Sequence, residues 1–249
     1  RGLVSMESGC SAVALGLLQN CQTKRGHQMT RVLNAEQRAP VSGSTRSAVV
    51  FIHGYGANGA DLLSLADPLG EHLPDTLFVA PDAPETCEGI PMGYQWFPIP
   101  WIDGSSQEVS RLGMQAAVAD LNAFLDALMV DNDLLPEQVV LFGFSQGTMM
   151  SLHLGPRRED PFAGVIGFSG ALVEPELLVD EVVSRPPVLL VHGDQDEVVP
   201  AQSMPEAAEA LQSAGFKDVF AHIQKGTGHG IAPDGLSVAL AFMRDKLGL

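Results

Sequence analysis

Val139-Val140-Leu141-Phe142-Gly143-Phe144-Ser145-Gln146-Gly147-Thr148-Met149-Met150 is an apolar run that breaks at Gly-Phe-Ser-Gln-Gly and resumes with helical character. A serine in a Gly-x-Ser-x-Gly frame, after a buried strand and before a helix, sits on a sharp and strained turn. Such a turn crowds the residues two positions away on either side, and Gly143 and Gly147 remove the side chains that would clash there. The hydroxyl is raised above the sheet edge. The N–H groups that follow lie at a helix N-terminus, where they can hold negative charge. The pentapeptide alone arises by chance in loops, so the weight falls on its context. That context makes Ser145 a candidate nucleophile.

Outward from this stretch the chain has a rhythm. Ala48–Ile52, Thr76–Ala80, Gln138–Phe142, Gly164–Phe168, Val188–Val191 and Asp218–Ile223 are short and apolar runs, most of them rich in Val. Apolar on both faces, they suit parallel strands buried between helix layers. Thr30-Arg31-Val32-Leu33 reads as the start of an edge strand. Met114, Val118, Leu121, Leu125 and Leu128 repeat at helical spacing, as do Leu236, Leu240, Met243 and Leu247, and Pro205–Leu211 is a third helical candidate. Strands alternating with helices give an α/β fold with a mostly parallel, doubly wound central sheet and helices on both faces. In such a sheet, ligands bind beyond the carboxyl ends of the strands.

Composition narrows the function. A chain of 249 residues, 45% hydrophobic, can bury a large core, and α/β domains often reach this length. Residues 31–249 read as one domain, and residues 1–30, with two cysteines and no aromatic residue, as an N-terminal extension of uncertain status. Acidic residues number 30 against 14 basic, a net charge of −16. No Lys/Arg tract is present to release phosphate counterions, so nucleic acid and anionic membrane are not expected partners. The apolar stretch Ala12–Leu18 is far too short to cross a bilayer, and as the core of a secretory signal it has only Arg1 ahead of it. Stable membrane insertion is not expected. Cys10, Cys21 and Cys87 make no C-x-x-C pair and no disulfide framework, which points to a reducing cytoplasm. No metal-ligand spacing, P-loop or dinucleotide fingerprint is present, so neither metal nor cofactor is expected. The oligomeric state is left open, a homodimer included.

A serine hydroxyl needs a base, usually a histidine oriented by a carboxylate. His153 falls about two turns along the helix after Ser145 and points away, His192 closes a strand, and His222 lies inside one. His229 lies in Lys225-Gly226-Thr227-Gly228-His229-Gly230, a glycine-rich loop between the last strand and the last helix. It is the candidate base. The acid comes from His192-Gly193-Asp194-Gln195-Asp196-Glu197-Val198-Val199-Pro200, where chemistry alone leaves Asp194 and Asp196 level. Acyl transfer also needs N–H donors for the oxyanion. Gln146 should supply one, and the His53-Gly54-Tyr55-Gly56 loop the other.

Phe51-Ile52-His53-Gly54-Tyr55-Gly56, Gly143–Gly147, His192-Gly193-Asp194-Gln195-Asp196 through Pro200, and Gly228-His229 together resemble the phospholipase/carboxylesterase family of α/β-hydrolases, which includes acyl-protein thioesterase-like serine hydrolases. The resemblance runs from about Val49 to the C-terminus. It implies an α/β-hydrolase fold, Asp196 as the acid and the Tyr55 backbone as the second oxyanion donor. No long insertion separates Gly164–Phe168 from Val188–Val191, so no large lid domain is expected. Met92-Gly93-Tyr94-Gln95-Trp96-Phe97 resembles the family's Trp-Phe segment near the acyl pocket, but the Asp that often follows is replaced by Pro98-Ile99-Pro100-Trp101. An apolar loop of this kind suits a groove wall, which makes Trp96 and Trp101 candidate substrate-binding residues. The expectation is a serine carboxylesterase with an open, shallow groove, acting on short- to medium-chain esters. The alternatives are a thioesterase or lipase-type hydrolase of the same family acting on acyl-proteins or lysophospholipids, and, from a different class, a non-catalytic hydrolase-fold binding protein.

Overall fold

Each apolar run of the sequence forms a strand. The computed structural model describes residues 30–249. Its strands are β1 (Ala35–Arg38), β2 (Ser47–Ile52), β3 (Thr76–Pro81), the short hairpin β4 (Glu85–Thr86) and β5 (Tyr94–Gln95), β6 (Val139–Phe144), β7 (Gly164–Phe168), β8 (Val188–Gly193) and β9 (Val219–Gln224). The helices are α1 (Gly59–Leu63), α2 (Ala66–Gly70), α3 (Pro100–Asp103), α4 (Gln107–Asp131), α5 (Gln146–Leu154), α6 (Pro175–Glu181), α7 (Ser203–Ser213) and α8 (Pro233–Lys246). Seven strands make one sheet in the order β1-β3-β2-β6-β7-β8-β9. Only β1 runs antiparallel to its neighbour.

The strands alternate their side chains between two cores. Ala48, Val50 and Ile52 face a core completed by Met114, Leu121 and Leu125 of α4, Met149 and Met150 of α5, and Met204 and Leu211 of α7. Val49 and Phe51 face the other, filled from Leu62 and Leu63 of α1, Leu69 of α2, and Phe242 and Met243 of α8. On that second face a row of aromatic rings crosses four adjacent strands. Phe78 lies 5.9 Å from Phe51, Phe51 lies 5.2 Å from Phe142, and Phe142 lies 5.0 Å from Phe168. The row stiffens the central strands, β6 among them, directly beneath Ser145.

Two expectations change. The edge strand starts at Ala35 rather than Thr30. The reason is Asp120, buried on α4: its carboxylate accepts from the Arg31 backbone N–H and from Arg31 Nε, each at 2.7 Å, and this draws the segment onto the helix instead of the sheet. The expected extension lies, apart from Thr30, outside the described residues. At the other edge, β9 is not buried on both faces, and Phe220 and Ile223 stand exposed. Between β7 and β8 the chain carries only the seven-residue α6, so no lid domain covers the carboxyl edge among the described residues.

Candidate active site

Ser145 stands between the last residue of β6 and the first of α5, with φ 54° and ψ −116°. A non-glycine residue held there costs on the order of 1–3 kcal/mol, so the surroundings must enforce it. They do. The Ser145 N–H donates to Phe168 O at 2.8 Å, and Thr148 Oγ1 donates to the same oxygen at 2.8 Å. Ser145 O in turn accepts from the Thr148 and Met149 N–H groups at 3.0 and 3.2 Å. A methyl group on Gly147 would strike the backbone oxygen of Ile52, and one on Gly143 would come within 2.5 Å of Gly147 O and Thr148 N. The two glycines let the first turn of α5 press onto β2 and β6.

Asp196 and His229 meet across two loops. His229 Nδ1 lies 2.8 Å from Asp196 Oδ2, and Asp196 Oδ1 accepts from the Val198 and Val199 N–H groups, both at 2.9 Å. Burial pushes the Asp196 carboxyl up, but the hydrogen bonds from His229, Val199 and Val198 outweigh it and hold the group below the ordinary carboxylate range. An ionised carboxylate only accepts, so His229 carries its proton on Nδ1 and leaves Nε2 with a free lone pair. The His229 ring packs 5.0 Å from Phe144, the residue before Ser145. The buried His192, at the end of β8, adds a third polar group, with Nε2 2.9 Å from Val199 O and 3.3 Å from Asp196 Oδ2.

The histidine loop is sewn to the acid loop. Asp194 N donates to Gln224 O at 3.2 Å and Gln195 N to Thr227 O at 3.0 Å, while Asp194 Oδ1 accepts from the Gly226 N–H at 2.7 Å. Gln224, fully buried, donates from Nε2 to Gly230 O at 3.0 Å and accepts from the Ala232 N–H at 2.7 Å. Of the two aspartates left level by chemistry, Asp194 ties the loops together and Asp196 faces the imidazole.

The His53–Gly56 loop lies against the serine. A methyl group on Gly54 would stand 3.2 Å from Ser145 Cβ. His53 Nε2 accepts from the Ala83 N–H at 3.0 Å, so Nδ1 carries the hydrogen donated to Gly54 O at 2.7 Å. Burial lowers its pKa and keeps the ring neutral. Beyond it, Gly56 N donates to Tyr94 O at 2.9 Å. The backbone N–H groups of Tyr55 and Gln146 donate to no protein acceptor among the described residues. The Gln146 side chain is fully committed: Oε1 accepts from the Trp96 N–H at 2.9 Å, and Nε2 donates to Phe97 O at 2.7 Å.

The two tryptophans part company. Trp96 has no exposed surface, and its indole N–H donates to His53 O at 3.0 Å. It braces the His53 loop from inside and presents no face to a substrate, which corrects its expected place in a groove wall. Trp101, in α3, is 71% exposed. His153 lies on α5, eight residues past Ser145, where burial and the nearby Arg157 lower its pKa to about 4 against a smaller opposing pull from Glu181. His222 pairs instead with Asp234 at 2.8 Å. Among the described residues no three His, Cys, Asp or Glu side chains converge as a metal site, and no helix is long and apolar enough to cross a membrane. Composition and spacing gave no sign of the parts played by the side chains of Gln146 and Gln224, because each reaches partners that only folding brings near.

Comparison with known proteins gives the family and the fold. A family model described as phospholipase/carboxylesterase matches residues 37–247. Acyl-protein thioesterase 1 of Gibberella zeae is 28% identical over 221 residues, covering 84% of this chain and 94% of that one. Acyl-protein thioesterase 1 of Saccharomyces cerevisiae is 28% identical over 213 residues, covering 81% and 93%. Among solved structures, the crystal structure of esterase PE8 superposes with a TM-score of 0.82 at 44% identity, covering 87% of this chain and all of that one.

Proposed function

Because the chain belongs to the phospholipase/carboxylesterase family of α/β-hydrolases, we propose that it hydrolyses short- to medium-chain carboxylic esters with Ser145, His229 and Asp196 as its catalytic triad. The observation that carries the reading is the 2.8 Å contact of His229 Nδ1 with a buried, doubly anchored Asp196, on loops at the same sheet edge as the strained Ser145. In this mechanism His229 Nε2 takes the Ser145 Oγ proton as Oγ attacks the ester carbonyl. The Tyr55 and Gln146 N–H groups, free of protein acceptors, receive the oxyanion. His229 then protonates the departing alkoxide, and a water repeats the sequence on the acyl-enzyme to release the acid. Asp196 stays ionised throughout, holding the tautomer and stabilising the imidazolium. The buried, unpaired thiol of Cys87 supports a reducing, cytoplasmic setting.

The ester reading is favoured by the 44% identity with a protein titled an esterase. A thioester reading has its own support in the relatives called acyl-protein thioesterase 1. A panel of p-nitrophenyl esters of increasing acyl length, run beside long-chain acyl thioesters, separates them. The expected result is a maximum in kcat/KM at short or medium acyl chains, and a preference for long-chain thioesters would reverse the assignment. Ser145→Ala should abolish turnover and labelling by a fluorophosphonate probe. A folded Ser145→Ala protein that still labels would leave the catalytic reading without its nucleophile and favour a mere binding role for the fold.

A further inference from the structure

His192 is used neither as base nor as acid in this scheme, yet it is buried beside the acid's oxygen. Its Nε2 lies 2.9 Å from Val199 O, and a carbonyl oxygen brings no hydrogen, so Nε2 must carry one. The same Nε2 is 3.3 Å from Asp196 Oδ2, the oxygen that accepts from His229. Val199 closes the circle by donating its N–H to Asp196 Oδ1 at 2.9 Å. His192, Val199 and Asp196 thus form a ring of polar contacts, with His229 attached at one oxygen. Asp194, Glu197 and Lys225 are the other titratable groups on the two loops, and Asp194 is turned to the Gly226 N–H. His222 is taken up by Asp234 on α8. Among the described residues only His192 and His229 bring a charged or titratable side-chain nitrogen within 4 Å of the Asp196 carboxylate.

We propose that His192 is a positioning residue that fixes the acid-bearing turn through Val199 O and keeps its Nε2–H beside Asp196 Oδ2, thereby setting how strongly the carboxylate favours the His229 imidazolium. The inference rests on the Ser145–His229–Asp196 reading. The His192 Nε2–H, donated to Val199 O but only 3.3 Å from Asp196 Oδ2, places a positive dipole end beside the carboxylate and partly offsets its charge. Removing it withdraws that offset, so the protonated imidazolium becomes more stable and the base is lost at a higher pH. The acid limb of kcat/KM, which reports the free enzyme's base, moves up accordingly.

The test compares His192→Met, which keeps bulk without a donor, with His192→Gln, whose Nε2 reaches a similar place. With the p-nitrophenyl ester, His192→Met should raise the acid limb by about half a pH unit and lower kcat several-fold, and His192→Gln should return the limb to the wild-type position. A limb that stays in place or moves down in His192→Met overturns the inference, as does identical behaviour of the two variants. Should His192→Met fail to fold, nitrogen-15 histidine spectra of the wild-type protein decide. His192 Nε2 should stay protonated, and its resonance should shift as His229 titrates; an unprotonated Nε2, or one indifferent to His229, overturns the inference. Ser145→Ala and His229→Ala run alongside. Turnover surviving in these would defeat the triad itself, whereas dead controls with an unmoved limb defeat only the part given to His192.

Discussion

An asparagine at 196 would present an amide where His229 Nδ1 now finds a carboxylate oxygen at 2.8 Å. The amide N–H would push the imidazole proton to Nε2, and the base would face Ser145 with a hydrogen instead of a lone pair. Asp196→Asn should therefore lower kcat by about 10⁴-fold with little loss of fold, as the wrong tautomer does in serine proteases. Asp194→Asn keeps an oxygen to accept from the Gly226 N–H, at 2.7 Å in the native protein, so kcat should fall no more than about tenfold. Steady-state kinetics on the two purified variants checks both, and a larger loss for Asp194→Asn would mean that the acid has been misassigned. Composition and spacing could not rank these two residues, because both sit in one turn and differ only in which oxygen meets which nitrogen. The resemblance to a family is what ranks them, in favour of Asp196. The sequence misplaces Trp96 for a related reason: an apolar residue in an irregular stretch reads the same whether it walls a groove or lies beneath a loop. Ser145 and His229 stand out as candidates in the sequence because the glycines beside them carry the information locally.

At the scale of elements, the sheet was legible and the short pieces were not. β2, β3, β7 and β8 are buried along their whole length, so each appears in the sequence as an unbroken apolar run. The helix α4 shows its apolar stripe over 25 residues. By contrast α1, α2, α3 and α6 have four to seven residues, too few for a period, and packing holds them in place. The seam between the acid and histidine loops was equally hidden, although one residue of it is visible afterwards in Gly193. A methyl group there would collide with the backbone oxygens of Thr227 and Gly228, the two residues before His229. The loop, half-exposed at this point, can retreat, while the buried end of β8 cannot. Gly193→Ala should thus displace His229 from Ser145 and cut kcat by about a hundredfold, the cost of roughly an ångström of misplacement, while the urea midpoint changes far less. Parallel loss of stability and activity would show that the seam holds the fold rather than the base.

For the whole molecule, pH dependence of stability sets two effects against each other in different windows. The excess of 16 negative charges repels itself, and most of the relief comes as carboxylates protonate, mainly below about pH 4.5. Before that point is reached, the two desolvated histidines act. His153 has a folded pKa of about 4 against an ordinary value of 6.5, and His53 is lowered as well, in both cases by burial first. Between these values the unfolded chain binds protons that the folded chain refuses, so stability is fully present above pH 6.5 and falls as the pH falls toward 4. For His153 the loss is at most about 3 kcal/mol over the whole window. Asp196, held below the ordinary carboxylate range, adds a loss of the same sign only at lower pH. Urea unfolding should therefore show a midpoint that drops from pH 7 to pH 5, while nearly all surface carboxylates are still charged. His153→Gln takes up no proton and should flatten that slope, even if it lowers the midpoint at pH 7. A slope unchanged by the substitution would place the acid sensitivity elsewhere, and a midpoint rising toward pH 5 would mean that relief of charge repulsion already outweighs both histidines.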